Sequence, residues 1–395
     1  MTIPSMYELR LRAGHDSRVR SGHLWVFSNE VSELPRTIPP GALVRVRTAR
    51  GESVGTGIYN PHSLICVRLL GGEVEELNVE FFCERLRRAL ELRQRLCPGE
   101  AMYRLVHGEA DLLPGLVVDR YGEYLALQTF SIGMEQRLEL IVEALRTVLP
   151  ETKGIVEKNL SRLRELEGLP QRQRVLFGTI PQWLPVEEFG IRLELSLLEG
   201  QKTGAYLDQR YHHVIAGRWA RGLRVLDCFT HQGGFALHAA ANGAREVLGV
   251  DSSAFAIECA RRNAQLNGLS QLQFVEAEVF EFLRQQRQEN ARWDMIILDP
   301  PAFAKSRRHV PAAKRGYAEL NRLAMELLPE GGFLVTSSCS HHVFEAVFLE
   351  VLHGEAAALG RQLQLLYRGT QPPDHPILLS MPETQYLKFF IFQVL

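Results

Sequence analysis

From about residue 207 onward the chain alternates short apolar runs with longer amphipathic ones, and few folds accommodate that pattern. The runs RVLDCF, EVLGVDS, QFVEAEV, DMIILDPP and GFLVTSSCS are each of strand length. Stretches of helical period separate them, such as Ser253 to Asn267 and Gly316 to Leu328. Strands alternating with helices predict a parallel, doubly wound α/β sheet. In such sheets ligands sit at the carboxyl ends of the strands, so those ends are where chemistry is expected.

The first strand runs into Asp227-Cys228-Phe229-Thr230-His231-Gln232-Gly233-Gly234. Adjacent glycines let the backbone approach a ligand closely and open the following helix. The spacing is not the G-x-G-x-x-G of dinucleotide sites, and no phosphate-cradling loop with a lysine is present. The second strand ends at Asp251, 24 residues after Asp227 and just before Ser252. An acid there accepts both ribose hydroxyls of an adenosine. The third offers Glu278 to an adenine amino group. Each residue alone is explained as well by turn and cap chemistry. Asp227, Gly233, Asp251 and Glu278 in this order, with Phe229 and Thr230 in the first loop, describe an adenosine pocket without a phosphate site. That suits S-adenosylmethionine.

The fourth strand ends in Asp299-Pro300-Pro301-Ala302-Phe303. The prolines stiffen the turn and remove backbone donors, which leaves carbonyls to accept from a base's amino group. Asp299 is placed to bond the Watson–Crick edge of a flipped-out base, and Phe303 to stack on it. The fifth strand ends in Thr336-Ser337-Ser338-Cys339-Ser340. Strands four and five are neighbours in a methyltransferase-type sheet, so Cys339 is expected beside Asp299. A thiolate there would attack C6 of a pyrimidine and make C5 nucleophilic, with Asp299 at N3 stabilising the charge that develops. A purine amino group would need no such cysteine. Lys305, Arg307, Arg308, Lys314 and Arg315 follow as a basic run, suited to RNA phosphates or to a solvated helix face.

Upstream, residues 1–72 hold short β-like runs broken by turns such as Pro39-Pro40-Gly41, and read as a small β-barrel. Residues 73–185 read as a central α+β domain, and residues 186–395 as the domain with the doubly wound sheet. In the central part we expect a helix over Phe81 to Leu96, strands around Leu113-Pro114-Gly115 and after Tyr121-Gly122, and a second helix from about Gly133 to Leu149. A chain of 395 residues exceeds what one core organises. Net charge is only −1, yet residues 1–50 carry eight arginines and no lysine against four acids, a local excess of +4 that suits nucleic acid. No apolar run approaches the roughly 20 residues that span a bilayer, and a cytoplasmic location is expected. The six cysteines show no CxxC pair, and His212-His213 and His341-His342 lack zinc-site spacing, so no metal is expected.

The segments TGAYLDQR (203–210), LDCFTHQGGFALHAA (226–240), LDPPAFAKS (298–306) and TSSCSHH (336–342), in this order, resemble the bacterial class I methyltransferases that make 5-methylcytosine in large-subunit ribosomal RNA. YRLVHGEADLLPGLVVDRYG (103–122) is similar to their middle-domain hairpin, and the N-terminal segment to their RNA-binding PUA domain. The resemblance implies a Rossmann-like class I methyltransferase domain that uses S-adenosylmethionine and acts on 23S rRNA or its large-subunit precursor, with a homodimer as the family's expectation. It implies Asp208, Gln209 and Arg210 near the methionine part of the cofactor or the site entrance, Asp251 on the ribose, Asp299 on the base and Cys339 as nucleophile. In one respect the chain departs from the pattern. Many RNA cytosine-5 methyltransferases hold a second cysteine beside the fourth-strand motif, whereas this chain has Asp299-Pro300-Pro301-Ala302, which leaves the base that removes the C5 proton unassigned. Two other readings stay open: an rRNA guanine methyltransferase (N2 or N7) with a structural Cys339, and an RNA-binding ribosome assembly factor without activity.

Overall fold

The computed structural model describes residues 6–304 and 306–395. The chain forms two compact units, one of Met1–Gln182 with Ser196–Gly204 and Pro373–Thr384, the other of Trp183–Leu195, Ala205–Pro372 and Gln385–Leu395.

The first unit contains two five-stranded sheets. One is built from Tyr7–Arg10, Trp25–Phe27, Leu43–Arg47, Ser53–Tyr59 and Ile65–Leu69 around a core that includes Val26, Val44, Val46 and Val67. The alternation read in Ala42 to Arg47 appears as a strand with Val44 and Val46 buried. The arginine excess of this region is smaller than its count suggests, because Arg18, Arg20, Arg45 and Arg47 pair with Glu30, Asp16, Glu73 and Glu8. The other sheet is built from Met102–His107, Leu116–Tyr121, Tyr124–Thr129, Gly154–Asn159 and Arg172–Gly178. A helix over Val79–Leu96 packs beside it, its first turn capped by the Asn78 side chain. The expected second helix is broken into Ile132–Glu135 and Leu138–Val148. At the break, Arg137 turns its guanidinium onto the carbonyls of Gly133 and Gly41, each 3.0 Å away.

The second unit carries a seven-stranded sheet. Its strands are β1 (Arg224–Cys228), β2 (Glu246–Asp251), β3 (Leu272–Glu276), β4 (Met295–Leu298), β5 (Phe333–Ser338), β6 (Leu363–Gly369) and β7 (Lys388–Val394). They lie in the order β3-β2-β1-β4-β5-β7-β6. The first five are parallel, as the alternation predicts. The last two add an antiparallel edge that the pattern did not announce, because no helix separates them. The helices are α1 (Arg210–Trp219), α2 (Gly234–Ala241), α3 (Ala254–Leu266), α4 (Val279–Gln288), α5 (Val310–Leu327) and α6 (Glu345–Ala358). Helix α3 lies within the expected bounds, with Ser253 accepting from the Ala256 N–H as its N-cap. Helix α5 begins six residues earlier than read, with Pro311 in its first turn, where the missing N–H costs no hydrogen bond. A hairpin of Leu184–Glu188 and Ile191–Leu195 completes the unit. Strand order reverses between β1 and β4, and the crevice at such a reversal is where open α/β sheets bind ligands. No helix among the described residues is long and apolar enough to cross a membrane.

Candidate active site

The loop after β1 is shaped by backbone conformation. Phe229, His231 and Gly233 all have positive φ, at 63°, 50° and 89°. This folds Thr230 back so that its hydroxyl donates to one carboxylate oxygen of Asp227 at 2.5 Å, and the Ala236 N–H donates to the same oxygen at 3.1 Å. The other Asp227 oxygen is buried with no hydrogen-bond partner among the described residues. Burial pushes this carboxyl up to about 7. At the end of β2, Asp251 accepts the His231 N–H on one oxygen and the Ser253 N–H on the other, both at 2.9 Å. Each oxygen keeps a lone pair for a diol, and the neighbouring Ser252 is exposed. Glu278 is also exposed and spends one carboxylate oxygen on the Glu281 N–H, which makes it the N-cap of α4.

A cavity beside this loop is lined by Tyr206, Phe229, Thr230, Gln232, Gly234, Phe235 and Asp299, among others. Glu188 and His213 also line it, and His238 joins them through Glu188. One oxygen of Glu188 accepts from His213 Nδ1 at 2.7 Å and from His238 Nε2 at 3.2 Å. Burial opposes ionisation of Glu188, but the two imidazoles outweigh it and hold the carboxyl well below its ordinary range. Burial likewise disfavours the His213 cation, and Glu188 overrides it, so His213 is raised. These three residues present ligand atoms close enough to share a metal ion, but the hydrogen bonds among them already satisfy those atoms. The cluster was invisible in sequence because Glu188 lies 25 residues before His213 and on a different element. Its one trace is Gly234: a Cβ there would stand 2.3–2.8 Å from the His213 ring.

Parallel pairing of β4 with β5 sets Leu298 against Thr336 and brings the next residues of both strands together. Asp299 accepts from Gln209 Nε2 at 2.8 Å and from the Ser337 hydroxyl. Burial raises its carboxyl, the Ser337 bond opposes that, and Asp208 adds a like charge that raises it further. The half-buried Cys339 thiol lies 3.9 Å from the carbonyl oxygen of Pro300. Pro300, the residue after Asp299, is therefore the one that meets Cys339. Asp208 accepts from the Tyr386 hydroxyl at 2.7 Å. Arg210 is buried, donates to the Leu207 carbonyl at 3.2 Å and lies over Phe189 and Tyr211. Phe303 packs on Tyr317 and Phe280, with ring centroids 4.7 and 6.2 Å away. The ring is half-buried, and this packing anchors the loop. Lys305 lies outside the described residues. Sequence reasoning missed Ser337, Tyr386 and Lys388. Only the last left a mark, as a lysine opening the mostly apolar strand KFFIFQV.

A family model described as S-adenosylmethionine-dependent methyltransferase matches residues 175–392, and one described as PUA-like domain matches residues 9–71. The chain belongs to the S-adenosylmethionine-dependent methyltransferase family. Ribosomal RNA large subunit methyltransferase I of Erwinia tasmaniensis is 37% identical to this methyltransferase over 98% of this chain and 99% of its own. The Photobacterium profundum protein of the same name is 38% identical over 95% and 96%. In structure the methyltransferase resembles SMU.776, a methyltransferase solved with S-adenosylhomocysteine (TM-score 0.86, 23% identity, 98% of this chain and 100% of that one). That likeness extends to the fold. The S-adenosylmethionine cofactor fits the residues present: an orphaned buried oxygen on Asp227, a preset Asp251 carboxylate and a loop whose positive φ angles bring main chain to the cavity.

Proposed function

We propose that this methyltransferase transfers a methyl group to C5 of a cytosine in 23S rRNA or its large-subunit precursor, through a covalent bond between Cys339 and C6. The observation that carries the reading is the Cys339 thiol at the Pro300 carbonyl, one loop from an Asp299 carboxyl that burial raises above its ordinary value. The names of the full-length relatives support the rRNA substrate. The PUA-like match over residues 9–71 supports RNA binding, and in our reading the chain comprises a barrel (1–72), a central domain (73–185) and a catalytic domain (186–395).

In this reading Asp251 holds the ribose, Asp227, Phe229, Thr230, Gly233, Ser252 and Glu278 frame the adenosine, and Asp208, Gln209 and Arg210 close the methionine end. The Cys339 thiolate forms an S–C6 bond, and the electrons of the C5=C6 bond move into the ring. Asp299 donates a hydrogen bond at N3, where negative charge gathers, and Pro300 and Pro301 present carbonyls to the exocyclic amine. Bound S-adenosylmethionine supplies the methyl group. After transfer, loss of the C5 proton restores the double bond and expels the Cys339 thiolate. The homodimer and the cytoplasmic location belong to the same proposal; light scattering on the purified protein tests the first.

The deciding test is product identity with methyl-labelled cofactor and rRNA from a strain lacking the enzyme. Label is expected in 5-methylcytidine and is expected to fall at least about 10³-fold in Cys339→Ala. Label in a methylguanosine, with Cys339→Ala fully active, would assign the purine reaction instead.

A further inference from the structure

We propose that Lys388 is the positioning residue of Cys339: its ammonium holds the turn that carries the thiol and supplies the positive charge that favours the thiolate. The proposal rests on the reading of Cys339 as nucleophile, but its primary test does not.

The geometry starts from register. Lys388 opens β7 directly opposite Ser338 of β5, one residue before Cys339. Its side chain is buried, and Nζ donates to the carbonyl of Ser340 at 2.7 Å and to that of Val343 at 2.9 Å. Those carbonyls belong to the turn that follows Cys339, itself closed by the Val343 N–H on Ser340 at 3.2 Å. On its other side the Ser340 hydroxyl accepts the Ala304 N–H at 3.2 Å, and the Tyr317 hydroxyl lies 2.9 Å from those of Ser338 and Ser340. The Cys339 turn is thus tied to the Asp-Pro-Pro loop through Ser340 and to β7 through Lys388.

The charges explain why a lysine is there. Among the described residues its hydrogen-bond acceptors are both neutral carbonyls, and burial without a bonded carboxylate is unfavourable for an ammonium. Burial accordingly pushes Lys388 down to about 8. The turn itself carries His341 and His342, with Tyr386 packed on His341, and three further ionisable groups bear on it. Tyr317 of α5 is held neutral, since burial pushes its phenol up to about 12. Glu345 of α6 is already paired with Arg368 at 2.8 Å. The third is Cys339, whose thiolate steadies the Lys388 ammonium. Such coupling is reciprocal, so the ammonium lowers the thiol's pKa by the same interaction. A dipole-only turn would hold the sulfur in place but would bring no charge to favour its thiolate.

The experiment is the pH profile of iodoacetamide alkylation at Cys339 in the full-length protein, read by peptide mass mapping. The other five cysteines are buried, so Cys339 reacts first. Wild type is expected to reach half-maximal rate below the ~8.5 of an ordinary thiol. Lys388→Gln keeps a donor for the carbonyls and removes the charge. It should move the profile up by about one unit, a tenfold loss of alkylation at pH 7, and lower kcat with little change in KM for the cofactor. Lys388→Arg should restore most of the shift. A wild-type profile at or above the ordinary thiol value overturns the proposal without any variant. A Lys388→Gln profile that superimposes on wild type, or falls equally at every pH, overturns it too. Full methylation by Cys339→Ala would instead remove the nucleophile and leave the alkylation shift standing.

Discussion

Asp227 and Asp251, in the half of the sheet formed by β1, β2 and β3, take their fixed donors from the main chain: the N–H groups of Ala236, His231 and Ser253, helped by the Thr230 hydroxyl. Asp299 and the Cys339 turn, in the half formed by β4, β5 and β7, are held by side chains that arrive from elsewhere: Gln209, Ser337, Tyr317 and Lys388. The difference follows from what each half must do. A cofactor is the same in every turnover, and main-chain donors preset by positive φ present one geometry at no cost in side-chain entropy. A reacting base needs charges that change during the reaction. Side chains can be tuned in pKa by burial and neighbours, whereas backbone amides cannot. The first half should therefore respond to substitution through stability and cofactor binding, and the second through turnover and its pH dependence.

The largest effect that would break this division lies in Asp227. Its folded-state pKa of about 7 stands above its ordinary value of 3.8. A raised carboxyl favours folding fully below about pH 4, and that contribution is lost as pH rises through 7, to the extent of roughly 4 kcal/mol. Somewhat over half of that loss falls between pH 5 and pH 8, and urea unfolding of the cofactor-free protein should show Asp227→Asn removing most of the pH dependence in that window. Equal slopes in the two proteins would mean the carboxyl is ionised when folded.

Gly234→Ala comes next. Its Cβ would enter the His213 ring, which Glu188 holds in place, and overpacking of this kind costs about 1–3 kcal/mol. The expected result is a lower melting temperature and weaker S-adenosylhomocysteine binding by calorimetry, relieved in the double variant with His213→Ala. Ser337→Ala probes the other half. It removes a donor from Asp299 and should lower kcat by about 10–100-fold, with the dissociation constant for S-adenosylhomocysteine within about twofold of wild type. A large loss of cofactor affinity would merge the two halves into one site.

The same contrast governs what could be read from the chain. The cofactor half was legible because main-chain geometry leaves local marks: Gly233-Gly234 after a strand, an acid ending each of two strands, and Ser253 before a helix. The parallel order of β1 to β5 was legible for the same reason, since each strand is followed by its own helix. The reaction half showed only its two ends, Asp299 and Cys339, at the close of apolar strands. Their partners come from α5, from the segment before α1, and from β7, a strand whose antiparallel placement no crossover helix announces. Long-range hydrogen bonds such as Lys388 to Ser340, 48 residues apart, have no period and no motif. Neither the cap that Glu278 forms nor the rings that Phe303 packs on could be read from composition.

The smallest effect tests whether the side-chain network reaches beyond the groups that touch Asp299. Tyr386 donates to Asp208 at 2.7 Å, and the adjacent Gln209 bonds Asp299 at 2.8 Å. Asp208 also raises the Asp299 carboxyl by like-charge repulsion. Removing the hydroxyl in Tyr386→Phe takes a donor from the Asp208 carboxylate, whose charge then bears more fully on Asp299. A hydrogen bond to a charged group contributes about 1.5–3 kcal/mol directly, but the effect transmitted one residue further should be smaller, about 1 kcal/mol or fivefold in kcat. Its direction is specific: the Asp299 carboxyl rises further, so the pH at which turnover declines on the basic side should move up, not down. Cofactor affinity should stay unchanged. If instead the profile keeps its shape and only its height falls, Tyr386 does no more than fix the segment before α1, and the tuning of Asp299 ends at Gln209 and Ser337.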